Sequence, residues 1–307
     1  MYIVDSHCDS IQKVDSRRYG IVNPYNYSQK HQQLQFVANF CGWPGEDAER
    51  SYRRAMRYIG LFKIRMAAEA DKVEQVYTYE DIERVFAAGK HAALMSVEGA
   101  TGIMGSREIF REFYAAGVRV FGMTWQSNDL CASTKLPEGV EDYGLTDTGR
   151  EIIDEGNKLG LIFDVSHMSD KSFWDVAPLV KKPLVATHSN FRSVCGASRN
   201  LTDDMAREII RQDGMIGLNL TFISDDHDAQ TLDSYLAHLE HGLSLGGEDH
   251  IGFGGDIDGI RGYPKPLTTE RSLHDQIIEY MLSHNYSEEL VRKVAGGNYL
   301  NFLKKYL

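Results

Sequence analysis

Short apolar runs recur along the chain, and between them lie longer stretches in which apolar positions return every third or fourth residue. The first pattern is that of buried strands and the second that of amphipathic helices. Runs at residues 3–6, 35–40, 93–97, 118–124, 161–166, 184–187, 215–220 and 250–254 predict eight strands. Helical spacing covers 46–70, 80–88, 107–115, 146–159, 171–179, 202–211 and 233–245, with 273–282 and 288–306 after the last strand. Thr78 and Thr202 stand where N-caps belong, while Gly89, Gly117, Gly160 and Gly214 stand where helices end before a strand. Strands that alternate with helices imply a parallel sheet. Eight such units predict an α/β fold of the closed (β/α)8 TIM-type barrel class rather than an open doubly wound sheet. No linker or internal repeat interrupts the pattern, so one domain over residues 1–307 is expected.

Composition narrows the function. With 307 residues, 42% apolar and 25% charged, the chain has ordinary globular values and enough length for a large core. A net charge of -11 argues against nucleic acid or an anionic membrane surface as the main partner and leaves small solutes. No apolar run reaches the roughly twenty residues that cross a bilayer. Cys8, Cys41, Cys131 and Cys195 lack paired spacing, and no charged-then-apolar leader opens the sequence, so a cytoplasmic protein with reduced thiols is expected.

In a barrel of this kind the chemistry belongs at the carboxyl ends of the strands. The first run leads into His7 and Asp9, which alternation puts on one face with Cys8 turned away. The third ends in Glu98, the fifth in His167, the sixth in His188 and the eighth in Asp256. Zinc takes imidazole nitrogen and carboxylate oxygen, and a bridging carboxylate suits two ions about 3.5–4 Å apart. Each residue alone has a plainer reading: Glu98 as a first-turn acid, the histidines as caps, Asp256 and Asp258 as turn residues. Their convergence on one rim outweighs those readings. His238, His241, His250 and His274, among the remaining histidines, read as surface or packing residues.

The segments DSHCD, SVEG, DVSHMS, ATHSN followed by ASRN, and GFGGDIDG occur in the order of the motifs of the membrane dipeptidase (renal dipeptidase) family of zinc peptidases. The resemblance covers essentially the whole chain. It implies a (β/α)8 barrel with two zinc ions per chain, His7 and Asp9 on one, His167 and His188 on the other, and Glu98 bridging them. It further implies Asp256 as the acid/base beside a metal-bridging hydroxide and Arg199 as the group that binds the terminal carboxylate of a dipeptide. An arginine fork suits a carboxylate, which favours very short peptides. A D-residue at the C-terminal position of the substrate and a homodimeric assembly are further family expectations.

One position departs from the pattern. Trp125 stands where mammalian members carry a histidine that helps stabilise the tetrahedral intermediate, and an indole N–H donates one bond but never becomes a cation. Trp125 therefore reads as a substrate-site residue of altered chemistry, with Gln126 or Asn128 as substitutes for the missing donor. Two other functions stay open: a related amidohydrolase acting on N-acyl amino acids, and a metal-binding barrel without turnover, against which an intact Asp256 argues.

Overall fold

The computed structural model describes residues 1–15, 20–43, 45–136 and 138–307, the side chains at 15 and 227 excepted. Nine strands are found among the described residues: β1 (Ile3–Cys8), β2 (Gln33–Phe40), β3 (Val73–Val76), β4 (His91–Glu98), β5 (Val118–Gly122), β6 (Ile162–Asp164), β7 (Val185–Ala186), β8 (Met215–Leu218) and β9 (Ile251–Phe253). Eight of them close the predicted barrel. β1 pairs with both β2 and β9, and β2 passes over β3 to pair with β4, Leu34 on Ala92 through Phe40 on Glu98, all in parallel.

β3 was not anticipated. It lies on the first half of β4, Val73 on His91 through Val76 on Leu94, along the edge that β5 occupies from Met95 onward. Four residues with Glu74 and Gln75 at the centre are too short and too polar to register as a buried run.

The helices are α1 (Ser10–Asp15), α2 (Ala48–Ala68), α3 (Tyr79–Ala87), α4 (Arg107–Ala116), α5 (Asp147–Leu159), α6 (Asp170–Val176), α7 (Asp203–Arg211), α8 (Leu232–Ser244), α9 (Leu273–Ser283), α10 (Glu288–Arg292) and α11 (Asn298–Tyr306). Thr78 and Thr202 accept bonds from Asp81 N and Met205 N, and Gly117 and Gly160 end α4 and α5 at φ 115° and 71°, which glycine adopts freely. The long helix expected over 288–306 is instead α10, a π-helical turn at Lys293–Gly297, and α11. The turn brings Gly296 against β1, where a Cβ would stand 2.7 Å from Tyr2 O. No described helix is long and apolar enough to cross a membrane.

Val4, Leu34, Phe36, Leu94, Val120, Ile162, Val185 and Met215, from the early parts of the ring strands, form a buried cluster with Tyr299, Phe302 and Leu303 of α11. Tyr299 packs its ring 5.8 Å from that of Phe36, and its hydroxyl donates to Ser6 Oγ at 2.7 Å. The amino end of the barrel is thus filled. One layer higher the ring is pinched: a Cβ on Gly217 would lie 2.2 Å from Thr187 O and 2.3 Å from Ser6 Oγ, and one on Gly254 2.0 Å from Thr187 O. Only bare backbone lets β7, β8 and β9 approach so closely, and this pinch draws the next layer of side chains together.

Overpacking of this kind costs about 1–3 kcal/mol. We expect Gly217→Ala to lower the urea midpoint clearly, whereas Gly60→Ala on α2, where a Cβ meets nothing within 4 Å, should leave it unchanged or raise it slightly. Equal midpoints for the two variants would refute the pinch.

Candidate metal centre

The carboxyl end of the barrel brings together His7, Asp9, Glu98, His167, His188 and Asp256. His7 leaves β1 just where its pairing with β2 shifts register between Asp5 and Cys8, and Asp9 follows the strand. The turn is braced by Asp5, a fully buried carboxylate whose Oδ1 accepts the N–H groups of His7 (2.9 Å) and Gly255 (3.1 Å). Its Oδ2 meets His274 Nε2 at 2.5 Å, so α9 is tied to the ends of the first and last strands. His274 is therefore more than filler. His238 fits the packing reading, buried between Phe191 N and Ile223 O.

Glu98 ends β4 and is buried. Its two oxygens face different neighbours: Oε2 lies 3.6 Å from His7 Nε2, while Oε1 lies 2.9 Å from His167 Nε2 and 3.4 Å from His188 Nε2. The Nε2 atoms of His167 and His188 are 3.0 Å apart, and Asp9 Oδ2 is 3.6 Å from His7 Nε2. Ligand atoms of Glu98, His167 and His188 form one cluster within 4.8 Å, those of His7, Asp9 and Asp256 a second, and those of His7, Asp164 and His188 a third. Gly259 makes room for the acids, since a Cβ there would stand 2.2 Å from both Asp9 Oδ2 and Asp256 Oδ1. His167 and Asp256 hold φ 69° and 52°, a region L-residues seldom occupy, and such strain tends to gather at functional sites.

The electrostatics follow from crowding. Burial, then the Arg199 charge, push the His167 imidazolium down to about 3, and burial, then His7 and Arg199, hold His188 well below its ordinary value. Both rings are neutral. Burial opposes charge on His7 and Glu98 as well, but their mutual attraction outweighs it and drives His7 well above, and Glu98 well below, the usual ranges. Asp256 lies within reach of the acids Asp9 and Glu98, and burial, opposed by His7, pushes its carboxyl up to about 8. His7 Nε2 and His167 Nδ1 are buried without a hydrogen-bond partner.

Three neighbours escaped the sequence reading, although two of them, Asp164 and Thr187, lie inside its motifs. Asp164 Oδ1 accepts from Ser166 N and Thr187 N, both at 2.9 Å, and its Oδ2 accepts the Thr187 hydroxyl at 2.6 Å. That hydroxyl lies 2.8 Å from His188 Nδ1 and 3.4 Å from His7 Nδ1. Asn219, just past β8, donates to Asp256 Oδ2 at 3.2 Å. A polar residue at the end of a barrel strand was the available signal for Asp164 and Asn219.

Arg199 is buried, with one terminal nitrogen on Ser189 Oγ and the other on His188 O, both at 2.8 Å, and its Nε free of partners. Trp125 lies with its ring 6.2 Å from that of His167 and edge-on to Phe40 at 5.1 Å. The amides proposed as substitutes face elsewhere: Gln126 donates to Trp43 O, and Asn128 spends its amide on Met123 O and the N–H groups of Leu130 and Cys131. A cavity of about 660 Å³, whose lining includes Ala197, Leu220, Thr221, Phe222, Arg261 and Tyr263, is formed by segments that follow β7, β8 and β9 and includes none of the candidate metal-holding residues.

Known proteins resemble the chain along nearly its whole length. An uncharacterized protein in the pqqA 5' region of Klebsiella pneumoniae is 34% identical over 256 residues, 80% of this chain and 93% of that protein. Dipeptidase 3 of Macaca fascicularis is 28% identical over 99% of this chain, which spans 64% of that relative's length. A metallo peptidase from Rhodobacter sphaeroides, liganded with a phosphinate mimic of the dipeptide L-Ala-D-Ala, matches with a TM-score of 0.87 at 25% identity, over 100% of this chain and 99% of that one. A family model for membrane dipeptidases runs unbroken from residue 1 to residue 306, and the chain accordingly belongs to Peptidase family M19, the membrane dipeptidases.

Proposed function

We propose that the protein is a zinc-dependent dipeptidase that holds two ions and hydrolyses the single amide of a free dipeptide. The observation that carries this reading is the division of Glu98, one oxygen toward His7 and the other toward His167 and His188. Zinc–ligand bonds near 2.0–2.1 Å in a tetrahedron imply ligands about 3.3 Å apart. The separations here run from 2.9 to 3.6 Å, between imidazole nitrogens and carboxylate oxygens. His7 and Asp9 would hold one ion, His167 and His188 the other, and Glu98 both.

The Thr187 hydroxyl supports the assignment. It has one hydrogen, which goes to Asp164, and two lone pairs, which accept Nδ1–H from His188 and His7. With its Nδ1–H taken up by Thr187, each ring turns Nε2 toward Glu98, and that nitrogen is bare once a metal displaces the proton that Glu98 favours on His7.

A bound metal pair supplies an acidified water and a polarised carbonyl. Asp256, steadied by Asn219, takes a proton from the attacking water and returns it to the leaving amine; burial suits it to both tasks near neutral pH. Arg199 puts a fixed positive charge beside His188 for the substrate's terminal carboxylate, which limits substrates to very short peptides. The L-Ala-D-Ala mimic on the Rhodobacter relative supports a D-residue on the leaving side. Four free, buried cysteines agree with a cytoplasmic location.

Purified protein should carry close to two zinc ions per chain and cleave L,L and L,D dipeptides in preference to N-acetyl amino acids, and a chelator should abolish turnover. Zinc near zero, or activity that survives chelation, contradicts the proposal. Asp256→Asn should keep its metal while kcat drops by about 10²–10⁴-fold; an unchanged rate removes Asp256 from the mechanism. Thr187→Val should weaken zinc affinity by about 10–100-fold in competition with a chromogenic chelator, and wild-type affinity would show that the hydroxyl does not set the tautomers.

A further inference from the structure

Trp125 carries Lys135 on its face. The ammonium lies 3.7 Å from the ring centroid, well within the distance at which an indole attracts a cation. The segment that bears it is fastened to the metal centre. Thr134 N donates to His167 O at 2.9 Å, Lys135 N donates to Ser133 Oγ at 3.0 Å, and Ser133 forms an antiparallel bridge with Met168.

Lys135 is exposed, and among the described residues no carboxylate forms an ion pair with it. That is the important difference from a salt-bridged lysine. An indole face holds an ammonium through its quadrupole without neutralising it, so the full charge stays available to a ligand. The indole that holds this charge lies with its ring 6.2 Å from that of His167, and the charge is within electrostatic reach of Glu98 and Asp256, which favour it, and of Arg199, which opposes it. Arg199 and Lys135 are thus two cations on different walls, one from the loop after β7 and the other from the segment after β5. The first is buried and fixed on Ser189 and His188 O, and the second is exposed and rests on the Trp125 ring.

We propose, on the basis of the dipeptidase reading, that Lys135 is a catalytic residue whose ammonium stabilises the oxygen of the scissile carbonyl as it becomes negative. The water oxygen bonds to the carbonyl carbon as its proton passes to Asp256, and the π pair moves onto the carbonyl oxygen, facing Lys135. That pair then returns, the C–N bond breaks, and the amine leaves with the proton from Asp256. Lys135 forms no bond and contributes charge only. A fixed Arg199 already serves the terminal carboxylate, whose charge is constant through the reaction, whereas an unpaired cation beside His167 is of use where charge appears.

The test uses the zinc-loaded full chain, with kcat, KM, zinc content and affinity for a phosphinate dipeptide mimic measured for wild type, Lys135→Met and Lys135→Arg. Removing an oxyanion donor commonly costs about 10²–10³ in kcat. For an exposed ammonium we expect about 10–100-fold from Lys135→Met, with KM within about threefold, zinc unchanged, phosphinate affinity reduced in parallel with kcat/KM, and partial recovery in Lys135→Arg. Unchanged kcat, or a rise in KM alone, would overturn the role of Lys135 while leaving the dipeptidase reading intact. A wild-type protein that cleaves no dipeptide would overturn both.

Discussion

Two imidazoles at the mouth of this barrel take their orientation from one buried hydroxyl. Thr187 gives its hydrogen to Asp164 and so has only lone pairs left for His188 and His7. Neutral imidazoles are ambiguous objects, since either nitrogen can carry the proton. Here the ambiguity is removed from behind, by a carboxylate that also takes the backbone N–H groups of Ser166 and Thr187. Asp164 belongs to β6 and Thr187 follows β7, so the same contacts that join these two strands orient His188, beside Thr187, and His7 on β1.

The backbone makes this economy possible. Gly217 and Gly254 let three strands crowd around Thr187 O and Ser6, directly beneath the histidines. Above that layer the acids are held apart from solvent and close to one another. That arrangement is unfavourable for isolated carboxylates and favourable for a group of ligands around positive charge. Glu98 and Asp256 show the two outcomes of burial. One is held ionised by surrounding imidazoles, and the other, among acids, keeps its proton far above the usual carboxylate range.

How much of this was legible in the sequence follows from how local each feature is. In a parallel barrel the residue that ends a strand faces the mouth, so His7, Glu98, His167, His188 and Asp256 could be read from strand-like runs, and the ordered motifs then pointed to the family. Thr187 and Asp164 sit within those same motifs, yet their meaning lies in a through-space bond between neighbouring strands, which no periodicity records. His274 looked like packing because a helical residue reveals its partner only once the helix is docked; that partner proved to be Asp5. β3 stayed hidden because a four-residue strand with a polar centre resembles any turn, and the glycine that splits the last helix is explained only by the closeness of Tyr2 O.

Tyr299 fills the amino end of the barrel, so among the described residues the way in and out of the mouth lies on the carboxyl side. Whatever is cut at the mouth must leave by the way it came in, past Trp125 and the loops around it. Two amino acids therefore have to depart before another dipeptide can settle, and accumulated products compete with fresh substrate for the same doorway.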